Sequence, residues 1–197
     1  MMYLSTAVPD IKLITMAYIQ VEEVVPGIRS LAMFRPETGK PLYDLAQVLL
    51  RGESPLSQAD RELIATYVSS RNDTMFCMMS HAAAARCLYG DEKNIVDDVL
   101  KDMQHAHISD KLKALLNIAG KVQILGNEVT EEDIAEARKY GAIDREIHDT
   151  VLIAAAFCMY NRYVDGLASW TPTDPEAYVA MGKRMTEKGY VLPQKTT

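Results

Sequence analysis

Helix starts, helical apolar spacing and helix stops recur along most of this chain, and no stretch alternates apolar with polar residues cleanly enough to be a strand. Ser57-Gln58-Ala59-Asp60 reads as a start, with an acidic residue three positions after the serine cap. Leu63, Ile64, Tyr67 and Val68 then share a face, and Asn72-Asp73-Thr74 ends the run with residues that favour caps over helix interiors. The next helix is expected from about Met75 to Tyr89, stopping at Gly90. Ser109 caps a helix carrying Leu112, Leu115, Leu116, Ala119 and Val122, and Thr130-Glu131-Glu132-Asp133 opens a short one that stops at Gly141. Asp144 opens a long helix to about Val164, and Asp174-Pro175 opens a last one ending at Gly189, with proline at its first position. Nearer the N-terminus, Pro26 and Gly27 interrupt an apolar stretch, and Pro36 and Pro41 bracket a loop before Leu42–Leu50, so short helices are expected there. The fold class is all-α, a compact multi-helix bundle. No repeat, low-complexity tract or Gly/Ser linker divides residues 1–197, which predicts a single domain.

Charge and cysteine content narrow the setting. A net charge of −6 argues against a nucleic-acid partner or an anionic membrane surface, both of which call for basic patches. The longest runs free of charged residues, such as Thr74–Ala85 and Val151–Asn161, fall short of the roughly 20 residues a membrane span needs. Pro9, Asp10 and Lys12 interrupt the apolar N-terminal stretch, so no leader is expected and the protein reads as cytoplasmic. Cys77, Cys87 and Cys158 are odd in number and widely spaced, which fits a reducing compartment and no disulfide scaffold. Val151–Met159 is apolar nearly all round, and Ala82–Ala85 is a run of small residues. Both read as core packing or a subunit interface.

The chemistry-bearing segment is Arg61-Glu62-Leu63-Ile64 followed by Thr74-Met75-Phe76-Cys77-Met78-Met79-Ser80-His81. With Thr74 at the cap, Cys77 falls in the first helical turn, where unpaired N–H groups and the positive dipole end favour a thiolate. His81 is four residues on, the spacing that puts it on the face of Cys77 and lets it take the thiol proton. An antiparallel pairing of the two helices brings Glu62 back towards His81, where a carboxylate would orient the imidazole. Thr74 has a hydroxyl to offer the thiolate or a bound oxyanion. On residue types alone, Cys77 and His81 also read as ordinary core residues of an apolar helix. They supply two metal ligands and Glu62 a third, short of the four a structural zinc takes, so no metal and no cofactor are expected. His105 and His107 read as surface residues.

The pattern Arg61-Glu62-Leu63-Ile64-Ala65, then Cys77-x-x-x-His81 followed by alanines, resembles the alkylhydroperoxidase D family within the wider carboxymuconolactone decarboxylase superfamily. Gly141–Ile147 and Asn161–Leu167 are similar to its peroxidase-related subgroup, so the resemblance covers about residues 20–170 and leaves the helix at 174–189 as an addition. In that family the motif is a Glu, a Cys-x-x-Cys pair at a helix start, and a His four residues after the second cysteine. The resemblance implies that Cys77 attacks a peroxide, with His81 and Glu62 as proton relay. The first cysteine of the pair, which resolves the oxidised one, is Thr74 here. The implied activity is therefore an antioxidant, single-cysteine peroxidase that relies on an external thiol reductant. The family's habit also implies a homo-oligomer. Two alternatives stand beside it: a cofactor-free decarboxylase or isomerase of the carboxymuconolactone type using Glu62 and His81, and a redox-inactive descendant. The peroxidase reading further expects Cys77 to have a depressed pKa.

Overall fold

A computed structural model describes residues 17–22 and 25–192. The stretch with Pro9, Asp10 and Lys12 lies outside the described residues, and so does the question of a leader. The described chain is all-α, as expected. Its helices are α1 (Ile28–Phe34), α2 (Pro36–Arg51), α3 (Gln58–Arg71), α4 (Met75–Tyr89), α5 (Asn94–Asp102), α6 (Asp110–Ile124), α7 (Glu131–Lys139), α8 (Asp144–Gly166) and α9 (Pro175–Lys188).

The sequence signals at most ends are met by the bonds they imply. Ser57 accepts from the backbone N–H of Asp60 and Ser109 from that of Leu112, while Thr130 and Asp133 form a reciprocal capping box. Two expectations need correction. Pro41 lies inside α2 and does not end a loop: at the second turn it removes a single ladder bond, so one helix runs from Pro36 to Arg51. The helix α5 gave no boundary signal, because Lys93 already has helical angles and no side chain caps its start.

Helices α3 and α4 form the centre, an antiparallel hairpin closed by Asn72-Asp73-Thr74, with Asp73 in the left-handed region at φ 57°. On one side α3 packs against α6 and α8, burying Leu63, Ile64, Leu115, Leu116, Ile118, Ile153 and Phe157 almost completely. Each such side chain contributes about 1.5–3 kcal/mol. On the other side α4 packs against α9 through a second cluster of Phe76, Cys77, Ala83, Ala84, Val164, Tyr178, Met181 and Met185.

The alanine run serves this contact within the chain. A Cβ built on Gly182 of α9 would lie 2.6 Å from the Ala83 carbonyl carbon, so the two backbones meet only because both residues are small. Val151–Met159 is buried less evenly than its sequence suggested. Ile153, Ala154, Ala156 and Phe157 are buried, whereas Leu152, Ala155 and Met159 form a stripe open to solvent.

Candidate active site

Glu62 is completely buried on α3 and is held by two hydrogen bonds and an ion pair. His81 Nδ1 approaches Oε2 at 2.7 Å, while the Tyr190 hydroxyl and Arg51 Nη2 both reach Oε1 at 2.6 Å. The α3–α4 hairpin delivers the first of these contacts, as the sequence expected. Burial alone would raise the Glu62 carboxyl, but His81, Arg51 and Tyr190 outweigh it and hold its pKa below the usual range. The carboxylate therefore fixes its neighbours' roles. Tyr190 is pushed well above its ordinary value by burial and by Glu62, so it keeps its proton and donates it. With Nδ1 turned to the carboxylate, Nε2 is the ring nitrogen left facing away from it. Nε2 has no hydrogen-bond partner among the described residues. The ring is held edge-on against Phe157, with centroids 4.6 Å apart, and stacked on Tyr190 at 6.0 Å.

Sequence reading missed Arg51 and Tyr190. Arg51, in the last turn of α2, looked like an ordinary cation at a helix C-terminus. Instead it bridges Glu62 to the Met185 carbonyl of α9 and lies over the Tyr190 ring. Tyr190 follows the helix-ending Gly189, whose left-handed backbone (φ 66°) turns the chain back. Gln47 of α2 then accepts the Tyr190 backbone N–H at 2.7 Å and pins it in place. Nothing in local spacing marks a residue that reaches Glu62 from 128 positions away.

Cys77 and His81 line one cavity of about 60 Å³, walled chiefly by apolar side chains such as Phe76, Phe157 and Met181. The state of the thiol overturns an expectation. Burial pushes Cys77 up to about 12, Asp165 adds to the shift, and the Asn161 amide only partly offsets it. The desolvation of a thiol that is 3% exposed outweighs its place in the first turn of α4, so the resting group is a neutral S–H. No hydrogen bond joins it to His81. The role expected for Thr74 also fails on geometry: it sits at the α4 cap position, but its hydroxyl donates to Asp165 and not towards Cys77. Behind the thiol, Asn161 accepts from Asn72 at 2.8 Å and donates to Ser69 at 3.0 Å. Cys158 contacts Asn72 and the Gln123 carbonyl, and Cys87 is exposed, so all three cysteines are free. His105 and His107 are exposed in the turn after α5, His105 against Asp102. Among the described residues no three His, Cys, Asp or Glu side chains gather as a metal site.

Residues 36–121 match the model of the carboxymuconolactone decarboxylase family. Over that span the chain is similar to this family. The matched segment takes in α2 through most of α6 and thus Arg51, Glu62, Cys77 and His81. A solved peroxidase-related protein from Silicibacter sp. TM1040, itself uncharacterized, is 28% identical, with a TM-score of 0.71 over 80% of this chain and 81% of that one. An alkylhydroperoxidase AhpD core from Ralstonia eutropha JMP134, an uncharacterized peroxidase-related protein, shares the fold at 24% identity and a TM-score of 0.72, covering 81% of this chain and 82% of the other. A protein of unknown function from Agrobacterium tumefaciens shares it at 21% identity and a TM-score of 0.62, over 73% of this chain and 97% of its own. No curated protein matches the chain. The buried Glu–His pair on the two central helices falls within the matched segment, while α9 and Tyr190, which close the site, lie beyond it.

Proposed function

We propose that this protein is a thiol-dependent peroxidase-like oxidoreductase that reduces hydrogen or organic peroxides through Cys77. One observation carries the reading: Cys77 and His81 open onto the same cavity while Glu62 holds His81 from behind through Nδ1. The resting thiol is neutral, so activation is coupled to substrate. On peroxide binding, His81 Nε2 takes the thiol proton and the sulfur attacks the distal peroxide oxygen. The O–O bond breaks, the leaving alkoxide or hydroxide takes the proton back from His81, and Cys77 is left as the sulfenic acid. Glu62, held ionised by Arg51 and Tyr190, stabilises the imidazolium between the two transfers. Cys77 is bonded to no second cysteine, and in this reading an external thiol attacks the sulfenic acid with loss of water, and a second thiol releases the reduced enzyme as a disulfide forms between the donors. The reading places the protein in the reducing cytoplasm as a homo-oligomer. No helix among the described residues is long and apolar enough to cross a membrane.

The test is consumption of an organic hydroperoxide with a dithiol donor, together with trapping of a sulfenic acid on Cys77. Both are expected in the native protein and absent in Cys77→Ser. Consumption that persists unchanged in Cys77→Ser overturns the proposal.

A second reading is favoured by the neutral thiol and its lack of a bond to His81. Here the Glu62–His81 pair performs acid–base chemistry on a lactone or β-keto acid and Cys77 is incidental. Turnover of such an acid that survives Cys77→Ser and is lost in His81→Ala selects it. Absence of both activities points to a redox-inactive descendant.

A further inference from the structure

The cavity contains a second feature that the proton relay does not use. Arg29 of α1 and Arg184 of α9 both line it, on walls otherwise made by groups such as Ile28, Leu42 and Phe76. Neither is exposed, and among the described residues neither makes an ion pair or a side-chain hydrogen bond. Arg29 Nε is sealed from solvent with no hydrogen-bond partner among the described residues. The other two arginines of this region behave differently. Arg51 pairs with Glu62, and Arg61 donates to the Leu49 and Gly52 carbonyls at 2.9 Å. Arg29 and Arg184 are close enough to repel each other, and Tyr43 faces them both, its hydroxyl kept protonated by burial. Two like charges at one cavity and a buried unpaired N–H cost stability unless an anion neutralises them.

We infer that Arg29, Arg184 and Tyr43 form a carboxylate-binding subsite, so that the cavity takes a small amphiphilic acid with its anionic head on the arginines and its apolar body towards Cys77 and His81. Guanidinium groups present planar forks that match a carboxylate, and the Tyr43 hydroxyl is a further donor. The apolar walls and the cavity of about 60 Å³ restrict the body to a short chain. Applied to the peroxidase reading, on which this step rests, the preferred substrate is a carboxylate-bearing organic hydroperoxide, favoured over its ester.

Two measurements separate the subsite from the chemistry. Calorimetric titration of the full-length protein with hexanoate and with 1-hexanol, at neutral pH, is expected to show hexanoate binding at least tenfold tighter. Arg184→Met and Arg29→Met, each checked for native helix content, are expected to abolish that preference, while Arg184→Lys retains part of it. Equal binding of acid and alcohol, or a preference unmoved in both Met variants, overturns the subsite. Hydroperoxide turnover is then compared between an acid and its methyl ester. A preference of about tenfold or more in kcat/KM for the acid, lost in Arg184→Met, supports both proposals. Binding discrimination without any turnover leaves the subsite standing and removes the peroxidase reading. Turnover without acid preference, coupled with equal binding, does the reverse.

Discussion

Cys77 is a buried thiol whose ionisation is suppressed, and this has a direct chemical signature. At pH 8 a thiol raised to about 12 is almost wholly S–H, and Cys77 is buried where Cys87 is exposed. Alkylation of Cys77 by iodoacetamide is expected to be at least about a hundredfold slower than that of Cys87, read by peptide mass spectrometry. Comparable rates at the two positions would contradict the burial argument. At Glu62 the prediction concerns stability as well as function. Glu62→Gln leaves Arg51 buried without its countercharge, and a loss of about 3–5 kcal/mol is expected in chemical denaturation. Tyr190→Phe removes one of the carboxylate's two hydrogen-bond donors and is expected to cost about 1–3 kcal/mol. A larger loss for Tyr190→Phe than for Glu62→Gln would show that the charge is not what holds this cluster together. Glu62, Cys77 and His81 were legible in the sequence because the hairpin fixes their spacing on two adjacent helices. Arg51 and Tyr190 were not, since they meet Glu62 only through packing between α2, α3 and the end of α9. The thiol's state was also hidden, because helix position reveals the dipole but not the dehydration that overrides it.

Between elements, the tightest constraint is the crossing of α4 and α9. Gly182→Ala places a Cβ against the Ala83 backbone, which cannot swing aside as a flexible side chain could. A loss of about 1–3 kcal/mol is expected from this overpacking. Gly126→Ala, where nothing lies within 4 Å, serves as the control and is expected to stay within about 0.5 kcal/mol of the native protein. Denaturant midpoints for the two variants decide the matter, and indistinguishable values would rule out the close contact. This crossing shows how far the elements themselves could be read. Caps at Ser57, Ser109 and Thr130 announced their helices through side-chain bonds that form locally. The alanine run announced a close helix approach but not which helix approaches, because small residues record the distance and not the partner. Pro41 misled for the opposite reason: its local rule is a bias, and tertiary burial of Tyr43, Ala46, Leu49 and Leu50 holds α2 together through it.

For the molecule as a whole, two ionisable groups of the site contribute to opposite ends of the stability profile. The Glu62 carboxyl has a folded pKa below its unfolded value, so its contribution is complete above the ordinary glutamate range and is lost as the pH falls through the folded value. Cys77 is raised on folding, so its contribution is complete below about 9 and is lost as the pH climbs from there towards about 12. Thermal unfolding across pH is expected to show the acid limb shifted in Glu62→Gln and the alkaline limb flattened in Cys77→Ala. An alkaline limb unchanged by Cys77→Ala would exclude the thiol as its source. Association is testable at the same scale. The exposed Leu152–Ala155–Met159 stripe is the face expected to join copies of the chain. Sedimentation equilibrium should give a multiple of the 22.0 kDa chain mass that falls to one chain in Leu152→Glu/Met159→Glu. A native monomer would rule this out.

The return of the chain at Gly189 also sets an order of events during synthesis. A polypeptide leaves the ribosome N-terminus first, so α3 and α4 are available to pair long before Tyr190 is made. Until then Glu62 has its histidine but neither the phenol that shields it nor the α9 wall that dries the cavity. Every newly made copy therefore passes through a stage in which Cys77 and His81 are in place while the wall that α9 supplies is not. Only the last stretch of the described chain closes that opening.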